Sequence, residues 1–231
     1  DLVRSRVLGD VYKRQVLDTP DSGVCTQCRP KLNYVKEPSC KKCGKPIGDE
    51  RGEYCYDCRE GRHSYAQGKS VWVYQGEMKQ SIYRFKDGGR REYAEFYAKE
   101  SARLYGDWIK RKDIQAIIPI PIHRHKRYKR GYNQAEVYAK ELGKQCGLPI
   151  DSKTLIRVVD TLPQKTLSDR ERKNNLKKAL KIGVDGVQWK RVLVVDDIYT
   201  TGSTVDAAAA VLREAGVEKI SVSYTNLTLP T

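Results

Sequence analysis

Arg191-Val192-Leu193-Val194-Val195-Asp196-Asp197-Ile198-Tyr199-Thr200-Thr201-Gly202-Ser203-Thr204 is the stretch on which the reading of the whole chain turns. Four apolar, mostly β-branched residues in a row read as a strand buried on both faces of a parallel sheet. Asp196 and Asp197 stand where that strand should end, a hydroxyl-rich run around Gly202 follows, and an alanine-rich segment then reads as a helix stopping at Gly216. In open α/β sheets, ligands sit beyond the carboxyl ends of the strands, where loops feed helix N-termini. The backbone N–H groups of Thr200, Thr201, Gly202, Ser203 and Thr204, with a helix dipole behind them, would cradle a phosphate. Asp196 and Asp197 cannot serve that anion, because like charges repel. They are placed to accept hydrogen bonds from sugar hydroxyls or to hold a hydrated cation.

No Gly-Lys-[Ser/Thr] follows the strand, which excludes a Walker loop, and the dinucleotide fingerprint G-x-G-x-x-G is absent. Two adjacent acids followed by TTGST resemble the phosphoribosyl-pyrophosphate (PRPP) signature of type I phosphoribosyltransferases. That resemblance implies that the acids hold the ribose 2′- and 3′-hydroxyls and that the threonine-rich loop holds the 5′-phosphate.

A chain of 231 residues has room for one α/β domain and a small extra module. Lys and Arg number 44 against 29 Asp and Glu, a net charge of +15. Such a surface favours polyanions: nucleic acid, anionic membrane or phosphorylated substrates. No apolar run approaches the ~18 residues of a transmembrane helix, and no signal peptide is visible, so the expectation is a soluble, cytoplasmic protein.

Six of the seven cysteines form C-x-x-C pairs, Cys25/Cys28, Cys40/Cys43 and Cys55/Cys58, with eleven residues between successive pairs. In a cytosolic chain this spacing argues for metal rather than disulfides. Zn²⁺ takes four soft ligands in a tetrahedron, and two C-x-x-C knuckles close one site. Cys43-Gly44-Lys45-Pro46 resembles a zinc-ribbon knuckle, which favours Cys40 and Cys43 with Cys55 and Cys58. Cys25 and Cys28 then hold half a site, and a fourth pair is missing from the start. The competing assignment uses the first two pairs and orphans the third. Cys146 reads as a small packed hydrophobe.

Residues 1–15 have no clear period and read as a non-native or disordered N-terminus; Thr225–Thr231 look equally out of place. Residues 16–67 read as a zinc-binding module and 68–231 as the main domain. Within the latter, Val71–Tyr74 is strand-like, Glu77–Phe85 and Arg91–Tyr105 have helical spacing, and Ile114–Ile118 is the next strand. His123–Gln134 (HRHKRYKRGYNQ) opens a helix running to Leu142, and Gln164–Asn175 is a second basic stretch. Charge runs are most often solvated faces. The first lies directly after a strand, where its cations would face a pyrophosphate or a nucleic-acid backbone. His123 and His125 read as surface histidines.

The order of cysteine knuckles, PIPIHR, RGYNQAE, LSDRERKNN and VLVVDDIYTTGST closely resembles the ComF family of competence-related, phosphoribosyltransferase-like proteins, over about Val24 to Tyr224. The resemblance implies an α/β fold of the type I phosphoribosyltransferase kind: a parallel sheet with flanking helices and a small N-terminal zinc-ribbon module. It also implies a link to natural transformation, with single-stranded DNA and the competence helicase or DNA-uptake machinery as partners at the inner face of the membrane. Family members commonly carry four cysteine pairs and end on a Leu-Ala-Arg-like sequence; this chain has three pairs and ends TNLTLPT, so the final strand is open to disturbance.

Two functions follow. As an enzyme, the chain would bind PRPP with Mg²⁺ and release pyrophosphate, with Arg124, Arg130 and Arg172 stabilising the departing charge beside Asp196 and Asp197. As a binding module, it would keep PRPP as a ligand while the basic surface holds single-stranded DNA, with Tyr128 and Tyr132 stacking on bases.

Overall fold

The all-apolar run Val192–Val195 needs cover on two sides, and the chain supplies it from both directions in sequence. The computed structural model describes residues 23–48, 52–61, 63–159, 176 and 178–228. Along it run α1 (Tyr56–Arg59), β1 (Gln67–Val73), α2 (Gly76–Lys86), α3 (Tyr93–Arg111), β2 (Ala116–Pro119), α4 (Arg124–Arg130), α5 (Gln134–Cys146), β3 (Leu155–Arg157), β4 (Leu180–Ile182), β5 (Arg191–Tyr199), α6 (Ser203–Glu214) and β6 (Lys219–Leu227). Four strands form a parallel sheet in the order β1-β6-β5-β2, and β3 and β4 pair as a separate antiparallel ribbon.

Alternation of side chains along a strand sends successive residues to opposite faces. Val192 and Val194 join Ile118, Ile220, Val222 and residues of α6 on one face. Leu193 and Val195 join Val71, Trp72, Ile117 and residues of α2, α3 and α5 on the other. All four valine and leucine side chains of this run are fully buried. The cysteine-rich segment is part of the first core, since Cys40, Cys43, Cys58 and Tyr65 pack with Val194 and Tyr224. Cys146 packs against the second core, as expected of a small hydrophobe.

Three differences from the sequence reading have local causes. β5 does not stop at the acids but continues to Tyr199, because β6 runs alongside as far as Leu227. Thr225, Asn226 and Leu227, which looked out of place, are therefore fully buried strand residues, and Thr225 donates its hydroxyl hydrogen to the Asp197 carbonyl at 2.7 Å. The expected single helix from His123 to Leu142 is two. Gly131 ends α4 in the left-handed conformation (φ 79°), and the Asn133 side chain caps α5 by accepting from Ala135 N–H at 3.1 Å. His123 is buried rather than a surface residue, because it caps α4 from the inner side. Residues 1–15, Arg172 and the stretch Gln164–Asn175 lie outside the described residues.

Leu193 is the most demanding side chain in β5, at 0 % exposure. Leu193→Ala is expected to lower unfolding free energy by about 2–5 kcal/mol. Urea denaturation of the zinc-loaded protein checks this; a loss below about 1 kcal/mol would contradict the two-sided burial.

Candidate functional site

β2 ends at Pro119, opposite Val195, and the Ile120 N–H caps the Val195 carbonyl at 2.9 Å. Past that point β5 loses its neighbour on the β2 side, and there Asp196 and Asp197 begin. The carboxylates also take backbone donors: Asp196 Oδ1 accepts from Asp197 N–H and Asp197 Oδ1 from Ile198 N–H, both at 2.9 Å. The alternation slips here, so that Ile198 packs on the α2–α3–α5 face and Tyr199 on the face of the cysteine knuckles.

Asp197 is 3 % exposed and forms an ion pair with Lys86 Nζ at 2.8 Å, a charge contact rather than an aligned hydrogen bond. Burial pulls the Lys86 ammonium down, but the Asp197 carboxylate outweighs it and holds the group protonated above its ordinary range. Asp196 is raised as well, here toward the uncharged form. It keeps some surface, yet desolvation and then the Asp197 charge raise its carboxyl well above the usual range, with Lys86 opposing. Arg130 donates to Gln134 Oε1 at 2.6 Å and to Asp87 Oδ1 at 3.0 Å, so the last residues of α2 hold both an acid of β5 and a cation of α4. The structure thus gathers Asp196, Asp197 and Arg130 around Lys86–Asp87. Arg124 is exposed at the start of α4 and takes no part in these ion pairs.

After β5, Thr200 and Thr201 are exposed, and Gly202 takes the left-handed conformation (φ 78°) as the N-cap of α6. A Cβ there would lie 2.4 Å from the Tyr199 hydroxyl, so glycine is required by contact as well as by backbone angle. The Thr201 and Ser203 hydroxyls share a hydrogen at 2.7 Å, and Ser203 and Thr204 open the helix. This is a strand–loop–helix junction at a helix N-terminus, with the Ser203 N–H directed at Thr201 Oγ1 at 3.4 Å.

The cysteines settle into one set among the described residues: Cys40, Cys43, Cys55 and Cys58 bring their sulfurs within 4.8 Å of one another. A tetrahedral zinc with Zn–S of about 2.3 Å needs sulfur separations of about 3.8 Å, and Cys43 Sγ and Cys55 Sγ are 3.6 Å apart. Hydrogen bonding from Cys43 lowers the Cys40 thiol, while Cys40 raises Cys43 in return. The donor set fits structural zinc, which takes thiolates and would supply folding energy. The Cys25/Cys28 turn repeats the backbone pattern of Cys55/Cys58: in each, the first carbonyl accepts from the second cysteine and the residue after it at 3.0–3.1 Å. Burial, then Cys25, push the Cys28 thiol up to about 11. These two sulfurs do not join the four-cysteine cluster.

On α4, Tyr128 is 93 % exposed among its cations, whereas Tyr132 is only 5 % exposed. Tyr132 tilts against Phe85 and carries the Arg91 guanidinium 4.6 Å above its ring, so it has no face for a base. The expected stacking role falls for Tyr132.

Residues 15–59 match the family description "Double zinc ribbon domain" and residues 128–225 match "Phosphoribosyl transferase domain". Competence protein F of Haemophilus influenzae is 28% identical over 221 residues, spanning 92% of this chain and 93% of that protein. Competence protein ComFC of Bacillus subtilis is 27% identical over 217 residues (89% and 84%), and DNA utilization protein YhgH of Salmonella typhi 29% over 205 (87% and 88%). Over most of its length the chain is similar to proteins named for competence and for DNA utilization. It joins a zinc ribbon to a phosphoribosyltransferase-type parallel sheet, and no helix among the described residues is long and apolar enough to cross a membrane.

Sequence reasoning missed Lys86, which falls just past the helical spacing read over Glu77–Phe85. It also missed His63, Tyr65 and Asp206, none of which sits in a motif.

Cys40→Ser is expected to release the metal from zinc-loaded protein while the parallel sheet remains folded. Metal analysis with far-UV circular dichroism checks this, and retention of stoichiometric zinc would refute the four-cysteine site.

Proposed function

We propose that the chain binds a phosphoribosyl ligand of the PRPP type at the carboxyl end of its parallel sheet and handles single-stranded DNA along α4. One observation carries the first half: two acids, placed where β2 no longer pairs with β5, lead through Ile198 and Tyr199 into a loop whose Gly202 opens the N-terminus of α6. The loop donors Thr200–Thr204 would take the 5′-phosphate. Asp196 and Asp197 would take ribose hydroxyls or a hydrated Mg²⁺ accompanying the ligand. This reading divides the chain into a zinc-ribbon module over 16–67 and a phosphoribosyltransferase-like domain over 68–231.

The DNA half rests on chemistry and on the relatives' names, which speak of competence and DNA utilization. Arg124, Lys126, Arg127 and Lys129 lie on one short exposed helix with Tyr128. Cations track phosphates while an aromatic ring takes a base. The net charge of +15 exceeds what one small ligand requires.

The pairing of Lys86 and Arg130 with the acid cluster favours a second reading, an active transferase. A nitrogen nucleophile would bond to C1 of the ribose as the C1–O bond breaks, its electron pair leaving with pyrophosphate. Lys86 and Arg130 would stabilise that departing charge. Pyrophosphate release from PRPP, with and without single-stranded DNA, separates this reading from binding alone.

Asp197→Asn removes a charged acceptor worth about 1.5–3 kcal/mol per hydrogen bond, so PRPP affinity by calorimetry should fall about tenfold or more. Undiminished affinity in both Asp196→Asn and Asp197→Asn would refute the ligand site.

Replacing Lys126, Arg127 and Lys129 with Ala should flatten the log–log salt dependence of single-stranded DNA binding by about two units, at about 0.7 per phosphate contact. An unchanged slope and affinity would take DNA off α4 and leave the transferase reading ahead.

A further inference from the structure

The candidate phosphate loop is held at both ends by residues from far earlier in the chain. Between the cysteine knuckles and β1 runs the strap His63-Ser64-Tyr65. Asp206, in the first turn of α6, accepts from Ser64 N–H at 2.8 Å on Oδ1 and lies 2.8 Å from His63 Nδ1 on Oδ2. Tyr199, the last residue of β5, has its hydroxyl 2.9 Å from the Tyr65 hydroxyl and 3.3 Å from His63 Nε2. All four side chains are buried.

With a hydrogen on the imidazole Nδ1, one consistent direction of donation runs through the set. Tyr65 donates to Tyr199, Tyr199 donates to Nε2, and Nδ1–H donates to Asp206. Burial pushes both phenols up, so they keep their protons as donors. The imidazole also stacks on the Tyr65 ring at 5.1 Å.

This network fixes the loop's geometry from below and behind. Asp206 N–H closes the first turn of α6 on the Gly202 carbonyl at 2.8 Å, so anchoring Asp206 sets the direction of the N–H groups just before it. The Tyr199 hydroxyl is the floor on which Gly202 rests. The Tyr199 ring in turn stacks on Tyr224 at 4.5 Å, and the Tyr224 hydroxyl donates to the carbonyl of Cys43. Lys45 of the same knuckle stands 5.6 Å from the Tyr199 ring centroid.

We propose that His63 and Tyr65 are positioning residues for the phosphate loop, and that through Tyr199 and Tyr224 the zinc knuckle is part of the same support. The strap holds both ends of Thr200–Thr204 in the cradle conformation, so phosphate affinity depends on side chains that never touch the ligand. This rests on the reading of Thr200–Thr204 as a phosphate loop. A buried His–Asp pair that merely glued the cysteine-rich segment to the sheet would lower stability when removed and leave ligand affinity unchanged.

The test is calorimetric binding of ribose 5-phosphate to the full chain, zinc-loaded and folded by circular dichroism, well below each variant's Tm. Gly202→Ala, which places a methyl against the Tyr199 hydroxyl, is the control for the loop itself. His63→Ala and Tyr65→Phe should each weaken binding by about tenfold with zinc content unchanged. His63→Asn, whose amide nitrogen can reach Asp206 where Nδ1 did, should recover most of the loss. The proposal is overturned if His63→Ala and Tyr65→Phe bind like wild type while Gly202→Ala does not. It is overturned equally if His63→Asn is as weak as His63→Ala. If wild-type protein binds no ribose 5-phosphate, the phosphate reading itself fails and the proposal goes with it.

Discussion

A strand covered on both faces and both edges has no place for an unpaired charge, and burying one costs several kcal/mol. Polar chemistry on β5 can therefore begin only where a neighbour stops, and β2 stops opposite Val195. The acids come at the next position. Everything else at the site follows from that edge. Lys86 reaches in from α2 to neutralise Asp197, Asp87 beside it restrains Arg130, and the chain turns through Gly202 into a helix whose N-terminus faces the same way. The arrangement spends burial to hold opposite charges close while leaving one side open to solvent.

The cysteine-rich segment is built into this core. A few dozen residues cannot bury enough apolar surface to fold alone, and a metal closing four thiolates replaces what a core would supply. Here the knuckle also lends its backbone to the sheet. Gly68 N–H reaches the Lys42 carbonyl, and the Tyr224 hydroxyl reaches that of Cys43. Metal and sheet thus share one packed cluster.

Legibility in the sequence followed range of interaction. Val192–Val195, the acid pair and the TTGST turn are local patterns whose chemistry is complete within a dozen residues, and they follow one another as read, although the strand runs on through the acids to Tyr199. The choice of Cys40, Cys43, Cys55 and Cys58 was legible as the favoured of two pairings. What could not be read were contacts between distant positions of unremarkable type. Nothing in KDGG says that Lys86 will meet Asp197, and nothing in HSY says that His63 will meet Asp206, 143 residues further along the chain. Tyr132 misled for the same reason. Among cations it resembles a base-stacking ring, but Gly131 breaks the helix just before it and turns it inward onto Phe85.

The strand order has a kinetic meaning. β1 finds its sheet neighbour in β6, with Gln67 opposite Ser221, so an early strand waits for a late one. During synthesis the first-made segment can bind its metal at once, while its adjoining strand stays an unpaired edge until the final hydrophobic run emerges. So long a loop must close before any ladder bond rewards it, a cost that local contacts do not carry. An exposed edge awaiting its partner is also where two nascent copies could pair with each other.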